Sequence, residues 1–182
     1  MNIILYDASN NRPGLDLPDV WYGASMVLQA AGKFKYAIGV RSWSKVVFEF
    51  DGIPTASIDA MQLWSHGMPG KPIIGNNGPS KNHLKQLSWI MKPNGLIWLR
   101  CCSVLFGQSG IDAACRIADL TGCKVAAYTR VIGVWQSGLY VVTPGVKPKN
   151  IPVLTGDWTK RKSGPRIKRS HRCTVMEMPK WA

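Results

Sequence analysis

The stretch IDAMQLWSHGMPGKPIIGNNGPSKNHLKQLSWIMKPNGLIWLRCCS, residues 58–103, decides how this chain folds. Ile58 to Trp64 is a short apolar run that reads as a strand, and His66 to Pro79 is rich in Gly, Pro and Asn and reads as a loop. From about Ser80 to Met91 the apolar residues Leu84, Leu87 and Met91 form a helical stripe. Ser80 can cap that helix, and Lys92-Pro93-Asn94-Gly95 stops it. Leu96 to Cys101 is then a second strand. Strand, crossover helix and strand make a βαβ unit, whose strands run parallel and end at one edge of the sheet. Ligands and reactive groups collect at that edge in open α/β sheets. His66 immediately follows the first strand and Cys102 ends the second. Neighbouring strands lie about 4.8 Å apart, so adjacent placement would bring the two side chains near hydrogen-bonding range.

The flanking sequence continues the same pattern. Asn2 to Tyr6 reads as a buried strand opening into a turn-rich loop after Asp7. Asp19 to Ala31 reads as a helix with a stripe of Val20, Ala24, Val27, Leu28 and Ala31, closed by Gly32. Tyr36 to Val40 and Val46 to Phe50 are expected to form strands, plausibly a hairpin. After Cys102, a helix with the stripe Ile111, Ala114, Cys115 and Ala118 is expected, with Ser109 as its cap and Gly122 beyond its end. Lys124 to Tyr128 should return to the sheet, and Leu139 to Val142 should be the last strand. Thr143-Pro144-Gly145 marks the expected boundary between a domain at 1–145 and a basic, Pro/Gly-rich C-terminal tail at 146–182.

Composition narrows the class. The 182 residues are 46% hydrophobic and 18% charged, the balance of a globular chain. No window has eighteen consecutive apolar residues, and the opening MNIILYDASNN lacks the pattern of an export signal. A soluble, cytoplasmic protein without a membrane partner is expected. The five cysteines include no C-x-x-C pair, so neither a disulfide framework nor a metal site is expected. No GxxxxGK[ST] or strand-linked GxGxxG occurs, so no cofactor is expected. Residues 1–146 hold 13 Lys/Arg against 8 Asp/Glu and residues 147–182 hold 10 against 2, so the tail supplies +8 of the net +13. Such a cluster attracts polyanions or acidic protein surfaces. Lys160, Arg161, Lys162, Arg166, Lys168, Arg169 and Arg172 are the candidates for that contact, with Trp158 and Trp181 near them. A solvated basic tail without a partner is the alternative.

His66 and Cys102 carry the chemistry. A free thiol is mostly protonated at neutral pH, and an imidazole beside it lets it act as a thiolate and later returns the proton to a leaving group. Gly67 lets the backbone turn, and its N–H together with that of Cys102 is placed to bind a tetrahedral oxyanion. The motifs Ser65-His66-Gly67-Met68-Pro69-Gly70, Leu99-Arg100-Cys101-Cys102-Ser103-Val104 and Leu120-Thr121-Gly122-Cys123-Lys124-Val125-Ala126-Ala127 resemble the caspase-like, clan CD fold. They are most similar to a bacterial domain with the pattern S-H-G-x-P-G found in large adhesin-like surface proteins. The resemblance covers about Ile58 to Thr129. It implies a caspase-like sandwich with a mostly parallel central sheet flanked by helices. It also implies a cysteine endopeptidase, self-processing included, with His66 as general base or acid and Cys102 as nucleophile acting on a protein or peptide.

Cys101 is the alternative nucleophile, although Cys102 takes the position of the family's cysteine. In relatives specific for basic residues an acidic side chain near the nucleophile lines the specificity pocket. Here Arg100 stands two residues before Cys102, which would favour an acidic substrate residue. Asp7, at the same sheet edge, is an alternative pocket or orienting residue. His83 reads as a surface residue near a helix start, and Cys115 and Cys123 read as structural. An α/β-hydrolase is disfavoured because Gly107-Gln108-Ser109-Gly110-Ile111 lacks the final glycine of a nucleophile elbow. The second class of function is an idle caspase-like scaffold that binds nucleic acid or an acidic protein through the tail.

Overall fold

The computed structural model describes residues 1–9, 17–46, 48–50, 52–133, 136–164 and 172–173. The strands are β1 (Asn2–Asp7), β2 (Tyr36–Val40), β3 (Ile58–Trp64), β4 (His66–Met68), β5 (Lys71–Ile73), β6 (Met91–Arg100), β7 (Lys124–Tyr128), β8 (Gln136–Ser137), β9 (Leu139–Val142) and β10 (Arg172–Cys173). The helices are α1 (Leu17–Ala30), α2 (Trp43–Val46), α3 (Lys81–Ile90) and α4 (Gly107–Thr121). Six strands form the central sheet in the order β2-β1-β3-β6-β7-β9. All of its pairings are parallel except the last, β7 with β9. This is the expected α/β architecture: a mostly parallel central sheet with helices on its faces.

The order of the strands explains where the helices lie. From β1 the chain crosses through α1 to β2 in one direction, whereas β3, α3, β6, α4 and β7 progress in the other. A constant crossover hand then puts α1 on one face and α3 and α4 on the other. The packing agrees. Ile3, Leu5, Met61, Leu63, Ile97, Leu99, Val125 and Ala127 share a core with Leu84, Leu87, Ala114, Ile117 and Ala118 of α3 and α4. The alternate residues Ile4 and Trp64 pack with Leu28 of α1, and Trp98 packs with Ala126, Tyr128 and Leu139. Period-2 alternation thus sends each strand's residues to two dry faces, as a parallel sheet requires.

Three local readings change. Val46 to Phe50 is not a strand and makes no hairpin: Trp43 and Val46 bury one side of α2, and Phe48–Phe50 is a 3-10 turn with Phe48 73% exposed. β2 pairs instead with β1. In α1 the inward seam is Trp21, Ala24, Ser25 and Leu28, while Val20 and Val27 face outward. The small Ala24 and Ser25 let the helix approach the sheet, and Trp21 fills the space at its end. In α4 the cap position is Phe106, without a side-chain cap bond, and Ser109 lies inside the helix. Gly122 does end α4, in the left-handed conformation expected of a C-terminal glycine.

Ser80 caps α3 as read, and His83 completes the box. The His83 N–H donates to Ser80 Oγ at 3.3 Å, and the Ser80 N–H donates to His83 Nδ1 at 3.1 Å. Beyond Pro144 the chain continues against the domain. Ile151 packs on the α3/α4 core, and Lys162 bridges to Val131.

Candidate active site

β3 and β6 are neighbours in register, with Trp64 opposite Arg100. One residue further, Ser65 Oγ and Cys101 Sγ are 3.1 Å apart, so the alignment continues past the strand ends. His66 and Cys102 are the next residues along these two segments, at the C-terminal edge. Alternation sends them to the α1 face and sends Ser65 and Cys101 to the other. The half-buried His66 ring meets Trp21 of α1 edge-on, with ring centroids 5.4 Å apart. Gly67 presses on the neighbouring chain end: a Cβ there would sit 2.6 Å from the Cys102 carbonyl oxygen and 3.0 Å from the Cys102 nitrogen. No side chain fits in that space, which gives the glycine of the S-H-G motif a steric reason. The β4–β5 hairpin that follows is tied down where the Gly70 N–H donates to the Val104 carbonyl at 2.9 Å.

The adjacent cysteines differ in environment. Cys101 is fully buried, contacts Ser65 Oγ and donates to the Leu63 carbonyl at 3.7 Å; burial pushes its thiol up to about 12. A thiol so placed is inert. Cys102 is only partly covered. Its thiol donates to the Ile132 carbonyl at 3.7 Å, and burial also pushes it upward. Ser103, the next residue, is fully buried with φ of 53°, a left-handed conformation uncommon outside glycine, and its Oγ has no partner among the described residues. Such local strain clusters at functional turns.

The chain is similar to a secreted C11 cysteine protease from Bacteroides thetaiotaomicron. That protease was solved in complex with an irreversible peptide inhibitor; the identity is 11% and the TM-score 0.46, over 71% of this chain and 49% of that chain. The chain thus spans about half the length of the protease it matches. No protein-family model and no curated protein matches the sequence, so the likeness to the adhesin-type domain rests on its motifs alone. No helix among the described residues is long and apolar enough to cross a membrane.

The other candidate residues take different places. Arg100 is buried, 5% exposed, with its guanidinium over the rings of Trp98 and Trp64 at 4.6 and 5.3 Å. Its Nη1 donates to Gln62 Oε1 at 3.1 Å and its Nη2 to Gln136 Oε1 at 2.6 Å. The Tyr128 hydroxyl donates to the same Gln136 oxygen at 2.8 Å. Asp7 points to the opposite face. Its carboxylate accepts from the Ser9 N–H and hydroxyl and, at 3.2 Å, from the Gly75 N–H, so it organises two loops.

A cleft of about 570 Å³ beyond the hairpin is lined by Met68, Lys71, Asn76, Leu84 and Arg116 among others, but not by His66 or Cys102. Lys160 and Lys162 are exposed and Arg161 is half-buried. Arg166, Lys168 and Arg169 lie outside the described residues, and Arg172 is described in its backbone alone. Sequence reasoning missed Trp21, Gln62, Ile132 and Gln136. Only Trp21 carried a signal, as a large aromatic on a helix whose assigned stripe omitted it.

Proposed function

We propose that the chain is a caspase-like cysteine peptidase in which His66 and Cys102 form the working pair. The observation that carries this reading is the in-register ending of β3 and β6, with Gly67 packed on the Cys102 backbone. Cys102 Sγ attacks the scissile carbonyl carbon while its proton passes to the His66 imidazole. The oxyanion formed is held by the N–H groups of Gly67 and Cys102. His66 then protonates the leaving amine as the C–N bond breaks, and water attacks the resulting thioester to release the acid and restore the thiol. Arg100, buried against Trp64 and Trp98 and bonded to Gln62 and Gln136, supports the floor of the site and does not meet an acidic substrate side chain, and Asp7 holds the loops that frame the site. The free thiols of Cys101, Cys102, Cys115 and Cys123 suit a reducing cytoplasm.

Residues that act as one catalytic unit are not additive. Cleavage of peptides scanned with acidic, neutral and basic residues should fall to background in Cys102→Ala and in His66→Ala. The double variant should be no worse than either single one. Retained cleavage by folded Cys102→Ala would remove the peptidase reading.

The charge of the C-terminal arm favours a second, compatible reading: residues 147–182 bind polyanions or an acidic protein partner. Replacing Lys160, Arg161 and Lys162 with Gln should weaken heparin or nucleic-acid binding and flatten its salt dependence, by a slope of about 1 for each lost phosphate contact. Unchanged affinity and slope would place those cations outside any interface.

A further inference from the structure

Residues 129–133 and 136–137 form two legs beside the catalytic edge, fastened at three places. Their neck is closed where the Thr129 N–H donates to the Gly138 carbonyl at 2.9 Å. The first leg is hooked to the turn after the nucleophile: the Ser103 N–H donates to the Arg130 carbonyl and the Leu105 N–H to the Tyr128 carbonyl, both at 2.9 Å. The second leg is held by Gln136, which accepts from Arg100 and Tyr128. Between these anchors the Ile132 carbonyl takes the hydrogen bond of the Cys102 thiol.

Residues 161–163 of the C-terminal arm lie across both legs. The Val131 N–H donates to the Arg161 carbonyl at 3.0 Å, and the Ser163 N–H donates to the Val131 carbonyl at 2.8 Å. On the other leg the Ser137 N–H donates to Ser163 Oγ at 3.2 Å. Ser163 thus joins the two legs through its own backbone and side chain, and further along β10 pairs with β8 on the second leg.

We infer that residues 161–163 are a strap that keeps the leg at 129–133 closed over Cys102, so that the resting thiol is shielded by Ile132 and becomes reactive when the strap lifts. The inference rests on Cys102 being the working thiol. The overlying leg limits approach of an electrophile, and the burial it shares in pushes the Cys102 thiol upward, against a smaller opposing effect of the Ile132 backbone contact. Ile132 lies between the fixed points at Arg130 and Gln136, so releasing the strap frees it to swing while those anchors and the sheet stay in place. A strap that lies on the arm carrying the basic cluster also lets the arm's own fate, by cleavage or displacement, set the activity of the site.

The test is the rate at which iodoacetamide alkylates Cys102 in the full chain, followed by peptide mass spectrometry. This reaction needs no catalysis, so it reports on the strap even if peptide cleavage fails. Ser163→Pro removes the N–H given to Val131, and losing one such bond should raise the alkylation rate about five- to tenfold. In Val131→Cys/Lys162→Cys, a disulfide across the bridged pair should slow alkylation below the wild-type rate, and reduction should restore it. The second variant decides the matter if Ser163→Pro does not fold. Equal Cys102 rates in the oxidised and reduced stapled protein would overturn the strap.

Discussion

Cys101 and Cys102 show how one step along the chain separates a fully buried thiol from a partly covered one. Side chains alternate across the sheet, so Cys101 enters the core shared with α3 and α4, whereas Cys102 emerges on the opposite face beneath Ile132. The consequence for Cys101 is measurable. Its thiol is pushed from 9.0 to about 12 by burial, so the folded state holds its proton more tightly than the unfolded chain does. Its contribution is fully present below pH 9.0 and is lost as pH rises towards 12. Three units correspond to about 4 kcal/mol. Urea melts of the wild type and Cys101→Ala, taken from pH 8 to 11, should converge as pH rises. A constant difference between the two would mean that Cys101 does not ionise on unfolding. Cys102 and Cys123 are pushed the same way, so the wild type should lose stability faster with pH than one thiol alone requires.

At the scale of elements, the parts of the chain that were legible are those whose neighbours impose a period. β3, α3, β6, α4 and β7 lie within a few residues of their expected positions because each strand is apolar on both faces and each helix carries a clear stripe. The βαβ rule predicts that the C-terminal ends of β3 and β6 share one edge, and their parallel pairing agrees. Val46 to Phe50 was misread because a short apolar run has no decisive period, and Trp43 and Val46 could bury together only as a helical turn. The α1 face was misread for a related reason. Several apolar residues exceed what one helix can bury against a sheet edge, and shape decided between them: Trp21 and Leu28 turned inward, leaving Val20, Tyr22, Met26 and Val27 exposed. The hairpin β4–β5 was hidden in a Gly- and Pro-rich stretch that reads as an unstructured loop. Its pairing of His66 with Ile73 depends on Gly67 fitting against Cys102, a close approach that spacing does not reveal.

For the whole molecule, the mostly parallel topology was legible, whereas contacts between distant segments were not. Gln62, Arg100, Tyr128 and Gln136 come together from four strands, β3, β6, β7 and β8, and such a cluster leaves no local pattern. The same is true of Ser163, which meets Val131 and Ser137 only after the chain has crossed the domain surface. The arm beyond residue 146 thus has two aspects: its charge was visible in composition, and its contacts over 151–164 follow from the folded surface.

The central claim is that His66 activates Cys102, and its most direct test is labelling by a peptide electrophile that mimics a substrate carbonyl. Incorporation should map to Cys102, vanish in Cys102→Ala and slow by about a hundredfold in folded His66→Ala, the size expected of a general base. Labelling spread over Cys102 and Cys115 at rates that His66→Ala leaves unchanged would contradict it.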